Sequence, residues 1–262
     1  MFMLEKIKCF LLDMDGTIYL GNSLLPGAKA FMELLAEKKI GFLFLTNNSS
    51  KHAGQYVRKL ANYGISVNKK QILTSGEATG YYIKRTYPGA KIYLVGTSAL
   101  QSTFLEQGIK LVEENPDLVV LGFDTTITYK KIWKICDYVR TGYPYIATHP
   151  DINCPTETGF MPDIGSFIAL IKSSTGREPD IIIGKPHEQM IKAIFERTGF
   201  KGEEIAMVGD RLYTDIAMGK SGIKTILVLS GETKRGDLEG SGIIPDIIID
   251  DLGGLVDMIK EK

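Results

Sequence analysis

A chain of 262 residues suits one large or two modest domains, and its 44% hydrophobic and 24% charged residues exclude long disordered or fibrous stretches. The 31 Lys and Arg balance 31 Asp and Glu, so no net field draws in a nucleic-acid polymer or an anionic membrane. Cys9, Cys136 and Cys154 show no C-x-x-C pair and His52, His149 and His187 no H-x-x-x-H spacing, so any metal is expected on oxygen ligands rather than in a zinc site. Glu5, Lys6 and Lys8 break the apolar stretch Met1 to Leu12 before a signal peptide or transmembrane span forms, which predicts a cytoplasmic protein.

In chain order, short β-branched apolar runs alternate with amphipathic segments, the pattern of a parallel sheet covered by helices. The first strand is expected over Lys8 to Leu12, ending at Asp13; a helix over Ala28 to Lys39 follows Pro26-Gly27. The second strand, Gly41 to Leu45, ends at Thr46-Asn47-Asn48-Ser49-Ser50, and a helix spans Lys51 to Asn62. The middle of the chain carries its own set: strands Lys91 to Val95, Leu118 to Leu121 and Pro144 to Thr148, and helices Ser98 to Gln107, Thr128 to Thr141 and Ile164 to Ser174. The strand Asp180 to Ile183 then runs into Gly184-Lys185-Pro186, and Glu204 to Val208 into Gly209-Asp210. The expected fold is α/β, with a Rossmann-like parallel-sheet core of residues 1–78 and 181–262 and an inserted α/β cap domain of residues 79–180.

In such sheets ligands bind beyond the carboxyl ends of the strands. Four of those ends carry Asp13, Thr46, Lys185 and Asp210. In Asp13-Met14-Asp15-Gly16-Thr17, Gly16 lets the chain turn so that two carboxylates face one site, where they can bind magnesium while one acts as nucleophile or acid. Thr46 and Asn47 offer a hydroxyl and an amide at a helix start, and Lys185 a point charge. Asp210 and Asp215 add two carboxylates on a strand-to-helix turn. Each feature alone has a plain structural alternative: a solvated strand end, a helix cap, a surface lysine. Together they supply the nucleophile, metal ligands, phosphate donors and cation that phosphoryl transfer requires.

The ordered set D-M-D-G-T, T-N-N, G-K-P and G-D-x-x-x-T-D resembles the four motifs of the haloacid dehalogenase superfamily of phosphatases, across essentially the whole chain. The inserted segment, with Gly122-Phe123-Asp124 and Ala147-Thr148-His149-Pro150-Asp151, is similar to the NagD-like, p-nitrophenyl phosphatase branch with its large α/β cap. The resemblance implies a magnesium-dependent phosphatase acting on small phosphate monoesters such as sugar phosphates, nucleoside monophosphates or p-nitrophenyl phosphate. It implies that Asp13 forms an aspartyl-phosphate, that Asp15 is the general acid and base, and that Thr46, Asn47 and Lys185 hold the phosphoryl group. Magnesium would be held by Asp13, the Asp15 carbonyl oxygen and Asp210, with Asp215 supporting the loop. An acid at Asp15 favours phosphate over halide, because halide leaves without a proton.

Substrate choice is expected in the cap, in the loop 149–162, where His149, Asp151 and Asn153 are the candidate substrate contacts. A phosphotransferase of the same superfamily uses the same aspartates and stays open, as does a homodimer. A receiver-like signalling module, storing phosphate without hydrolysing it, is about half this length and has no inserted domain. Gly219-Lys220-Ser221 lacks the glycine a P-loop needs, since Thr214 stands there, and Pro245 spoils a dinucleotide fingerprint after Gly240.

Overall fold

The computed structural model describes residues 4–156 and 158–260; Glu157, inside the loop expected to sort substrates, lies outside them. The chain runs β1 (Cys9–Leu12), β2 (Tyr19–Leu20), β3 (Ser23–Leu24), α1 (Ala28–Glu37), β4 (Gly41–Thr46), α2 (Ala53–Asn62) and β5 (Ile72–Thr74). It continues through α3 (Ser75–Thr86), β6 (Lys91–Val95), α4 (Ser98–Glu106), β7 (Lys110–Leu111), β8 (Leu118–Leu121), α5 (Tyr129–Arg140) and β9 (Tyr145–Ala147). Then follow β10 (Asn153–Thr156), β11 (Gly159–Pro162), α6 (Ile164–Thr175), β12 (Ile181–Ile182), α7 (Glu188–Thr198), β13 (Ile205–Gly209), β14 (Lys224–Val228), β15 (Ile247–Ile249) and α8 (Leu252–Lys260). No helix among the described residues is long and apolar enough to cross a membrane.

Two compact units result: Met1–Leu45, Tyr56–Leu73 and Ile191–Lys262 form the first, Thr46–Gln55 and Thr74–Met190 the second. The first unit is built on a six-stranded sheet in the order β15-β14-β13-β1-β4-β5. β1 lies inside it, parallel to β13 (Cys9↔Ile205 to Leu12↔Val208) and to β4 (Cys9↔Gly41 to Leu12↔Phe44). A strand covered on both faces reads as a continuous apolar run, and Cys9-Phe10-Leu11-Leu12 is buried throughout. α1 presents Phe31, Leu34 and Leu35 to this core, and α8 presents Leu252, Leu255 and Val256.

The second unit has a five-stranded sheet in the order β12-β9-β8-β6-β7 and the antiparallel hairpin β10-β11. Its core gathers Tyr93, Val95, Val119, Leu121, Ile135, Val139 and Tyr145. Helix starts here are set by side chains: Thr74 accepts from Glu77 N–H at 3.1 Å, Thr128 from Lys131 N–H at 3.3 Å and Asp163 from Ile164 N–H at 2.7 Å.

The strand expected at Asp180 to Ile183 differs from its sequence reading. It shortens to β12 and pairs with β9 through Ile181↔Ile146 and Ile182↔Ala147, so it belongs to the second unit's sheet and not to the core sheet. Residues 46–55, 74–78 and 181–190, placed in the core from sequence, fall within the second unit. Apolar runs of equal length fit either sheet, and only the pairing partner separates them.

Phe10 is fully buried, with its ring 5.3 Å from that of Phe31 in an edge-to-face arrangement at 83°. Phe10→Ala leaves a cavity under the central strand and is expected to cost about 3–5 kcal/mol, read as a lowered urea midpoint of the first unit.

Candidate active site

In the first unit the turn after β1 is wound around one carbonyl. Ile18 N–H and Tyr19 N–H both donate to Met14 O, at 2.9 and 3.1 Å, and Gly16 N–H donates to Tyr19 O at 2.8 Å. Asp13 N–H donates to Val208 O at 2.9 Å, which fixes the end of β1 to β13. Both strands run the same way, so Asp13 and Asp210 emerge at the same edge of the sheet. Gly16, with φ +85°, leaves room for Asp210: a Cβ there would lie 2.3 Å from Asp210 Oδ2.

Asp13, Asp210 and Asp215 are all buried, and each offers a carboxylate oxygen within 4.8 Å of the others. Asp210 Oδ2 accepts from Glu232 N–H at 2.6 Å, and Asp215 Oδ2 from Arg211 N–H at 3.1 Å. Asp210 Oδ1 is buried with no hydrogen-bond partner among the described residues. Burial, reinforced by the nearby Asp215 carboxylate, pushes the Asp210 carboxyl up to about 7, against the pull of Glu232 N–H and Arg211. A partnerless carboxylate oxygen among other carboxylates is what a hard divalent cation with oxygen ligands would satisfy, so these residues fit magnesium. Asp15 is half-buried and its backbone bridges to Tyr19. Burial, reinforced by the neighbouring Asp15 and Asp13 carboxylates, holds the Tyr19 phenol well above its usual range.

In the second unit Thr46, Asn47 and Lys185 are buried. Thr46 Oγ1 accepts from Asn48 N–H at 3.1 Å. The Asn47 carboxamide is wholly engaged: Nδ2 donates to Asp151 Oδ1 at 2.9 Å and to Lys185 O at 3.2 Å, while Oδ1 accepts from Lys185 N–H at 2.7 Å. An asparagine side chain has two donor hydrogens, and both are used.

His149 is fully buried, its Nε2 3.0 Å from Asp163 Oδ1 and its Nδ1 3.1 Å from Thr148 Oγ1. Phe123 N–H donates to Ser49 Oγ at 2.9 Å, and Ser49 Oγ is 2.9 Å from Thr148 Oγ1. Ser75 O–H donates to Asn47 O, so its proton is committed although its oxygen lies 3.4 Å from His149 Nδ1. A carboxylate only accepts, so Nε2 carries the hydrogen that faces Asp163. Asn153, the third candidate substrate contact, is exposed on β10.

The structure thus gathers Asp13, Asp210 and Asp215 in one unit and Thr46, Asn47, Lys185, His149 and Asp151 in the other. Sequence reading missed Asp163, whose place just before α6 marks it as a cap, and Ser49, Ser75 and Thr148. It also missed the Gly231-Glu232 backbone against Asp210, which leaves no signal in residue type.

A family model described as haloacid dehalogenase-like hydrolase matches residues 10–110, and one described as HAD-hydrolase-like matches residues 182–255. An acid sugar phosphatase of Staphylococcus aureus is 36% identical over 251 residues, covering 95% of this chain and 96% of that protein. The solved structure of a 4-nitrophenylphosphatase from Thermotoga maritima is 50% identical with a TM-score of 0.94, covering 97% of this chain and 98% of that one. NagD from E. coli K-12 is 32% identical with a TM-score of 0.87, covering 94% and 97%.

In metal-free protein the raised Asp210 pKa makes folding less favourable as pH climbs from about 4, where an unfolded Asp ionises, to about 7, where the folded one does. Asp210→Asn keeps the acceptor for Glu232 N–H and turns the repulsion from Asp215 into a donor contact. It is therefore expected to raise the metal-free melting temperature at pH 7.5 by a few degrees, with the gain vanishing towards pH 4; scanning calorimetry across that pH range checks the sign.

Proposed function

Because this chain belongs to the haloacid dehalogenase-like hydrolases and is a phosphatase, we propose that it hydrolyses small phosphate monoesters, sugar phosphates among them, with magnesium and through an aspartyl-phosphate on Asp13. The observation that carries the reading is the buried carboxylate set Asp13, Asp210 and Asp215 with its partnerless Asp210 oxygen. The relatives named for acid sugar phosphatase and 4-nitrophenylphosphatase activity support the substrate class.

In this reading a carboxylate oxygen of Asp13 attacks phosphorus as the ester oxygen departs in line, and Asp15 gives that oxygen its proton. Asp15 then takes a proton from water, which attacks the phosphorus of the aspartyl-phosphate, releasing inorganic phosphate and restoring Asp13. Magnesium, held by Asp13, Asp210 and the Asp15 carbonyl oxygen, would neutralise charge on the phosphoryl oxygens. Asp215 fixes the Asp210 turn by accepting from Arg211 N–H. Thr46 and Lys185 bind the phosphoryl oxygens. Asn47 can add only its main-chain N–H, since both side-chain donors are spent within the protein. His149 belongs to the scaffold in this assignment, because it is fully buried and both ring nitrogens are engaged.

The test is phosphate release from p-nitrophenyl phosphate and a panel of sugar and nucleoside monophosphates. Turnover is expected to need magnesium, to stop with a chelator and to vanish in Asp13→Asn; turnover surviving in that variant would refute the aspartyl-phosphate. Asp15→Asn is expected to lower turnover of sugar phosphates by about 10²–10⁴-fold. With p-nitrophenyl phosphate, whose leaving group needs no proton, the same variant is expected to give a burst of nitrophenolate close to one equivalent, followed by slow turnover; stopped-flow absorbance checks it.

A further inference from the structure

Lys185 follows Gly184, and the Asn47 side chain grips its backbone on both sides, accepting from Lys185 N–H at 2.7 Å and donating to Lys185 O at 3.2 Å. The approach is close: a Cβ on Gly184 would lie 2.6 Å from Asn47 Oδ1 and 2.6 Å from His149 Cβ. The grip works in only one orientation of the carboxamide. Its two ends have nearly the same size, so sterics alone does not choose between them, and the choice falls to their partners. Reversed, the NH₂ would face Lys185 N–H and the oxygen would face the Asp151 carboxylate, donor against donor and acceptor against acceptor in a buried site.

Asp151 supplies the outer half of that choice. Its Oδ1 accepts the second Asn47 hydrogen at 2.9 Å, and a carboxylate cannot serve the reversed amide. Its own place is held from the neighbouring turns: Gly165 N–H donates to Asp151 O at 2.7 Å, and two residues earlier His149 is held by Asp163 and Thr148. Asp151 is 5% exposed. These contacts suit an internal bracket better than the substrate contact expected of it from sequence.

We propose that Asp151 is a positioning residue that locks the Asn47 carboxamide in the orientation that holds the Lys185 backbone, and so sets where the lysine ammonium meets the phosphoryl group. The role rests on the assignment of Lys185 to phosphate made above. It is a property of phosphate recognition and is blind to the rest of the ester. A substrate contact would do the opposite, sorting esters by their alcohol and leaving inorganic phosphate unaffected.

The test measures kcat and KM for p-nitrophenyl phosphate and for several sugar phosphates, together with competitive inhibition by inorganic phosphate, in wild type, Asp151→Ala and Asp151→Asn. Circular dichroism establishes that each variant is folded. Asp151→Ala is expected to lower kcat/KM for every ester by one common factor of about tenfold or more, with the phosphate inhibition constant rising alongside. Asp151→Asn, whose carboxamide oxygen can accept the same hydrogen, is expected to recover to within about threefold of wild type for both.

A loss confined to some esters with phosphate inhibition unchanged would overturn the role in favour of substrate contact. An Asp151→Asn variant that is folded but impaired as deeply as Asp151→Ala would overturn it in favour of a need for charge, and it decides the question even where the alanine variant does not fold. Wild-type turnover together with an Asp151→Ala variant indistinguishable from it would sink this role alone, whereas wild type that neither turns over esters nor binds phosphate would sink the phosphatase reading with it.

Discussion

Three carboxylates, Asp13, Asp210 and Asp215, share a volume from which water is largely removed. Like charges so placed repel strongly at low dielectric, and the raised Asp210 pKa is one sign of it. The surroundings are arranged to bear that repulsion. Glu232 N–H and Arg211 N–H are aimed at two of the carboxylates, and the absence of a side chain at Gly16 lets Asp210 come close. A divalent cation would turn the same crowding into a binding site, because charges that repel one another all attract it.

That cluster depends on the central strand. β1 is flanked on both sides by parallel neighbours, and its register with β13 brings Asp13 and Asp210 to one edge. A slip of one residue would send every apolar side chain of β1 to the other face. The register is carried past the strand end by the bond from Asp13 N–H to Val208 O. The tight turn around Met14 O then carries Asp15 back to bridge with Tyr19.

The second unit manages polar groups differently, by directed hydrogen bonds and not by shared charge. Asn47 spends both amide hydrogens on Asp151 and Lys185, Ser75 commits its proton to Asn47 O, and Thr148 and Asp163 lie at the two ring nitrogens of His149. The partners of Asn47 admit a single amide orientation, which follows from counting its hydrogens. The buried polar residues that sequence reading assigned to substrate therefore include two, His149 and Asp151, whose visible partners are other protein groups.

The sequence by itself determined the α/β class, the main strands and helices of both units, and the identity of the chemical groups, because apolar periodicity and strand-end motifs are local in the chain. D-M-D-G-T carries its own strand, turn and carboxylates within a few residues, and Thr128 announces the start of α5. What only the tertiary structure decided depends on partners far apart in the chain. Ile181 and Ile182 read as a core strand until β9 claims them, and only the fold places Asp163 and Thr148 at the ring nitrogens of His149, a candidate substrate contact in the sequence. Only the fold shows that the side-chain hydrogens of Asn47 go to Asp151 and Lys185. Residue type states how many hydrogen bonds a side chain can make, and only the fold decides with whom.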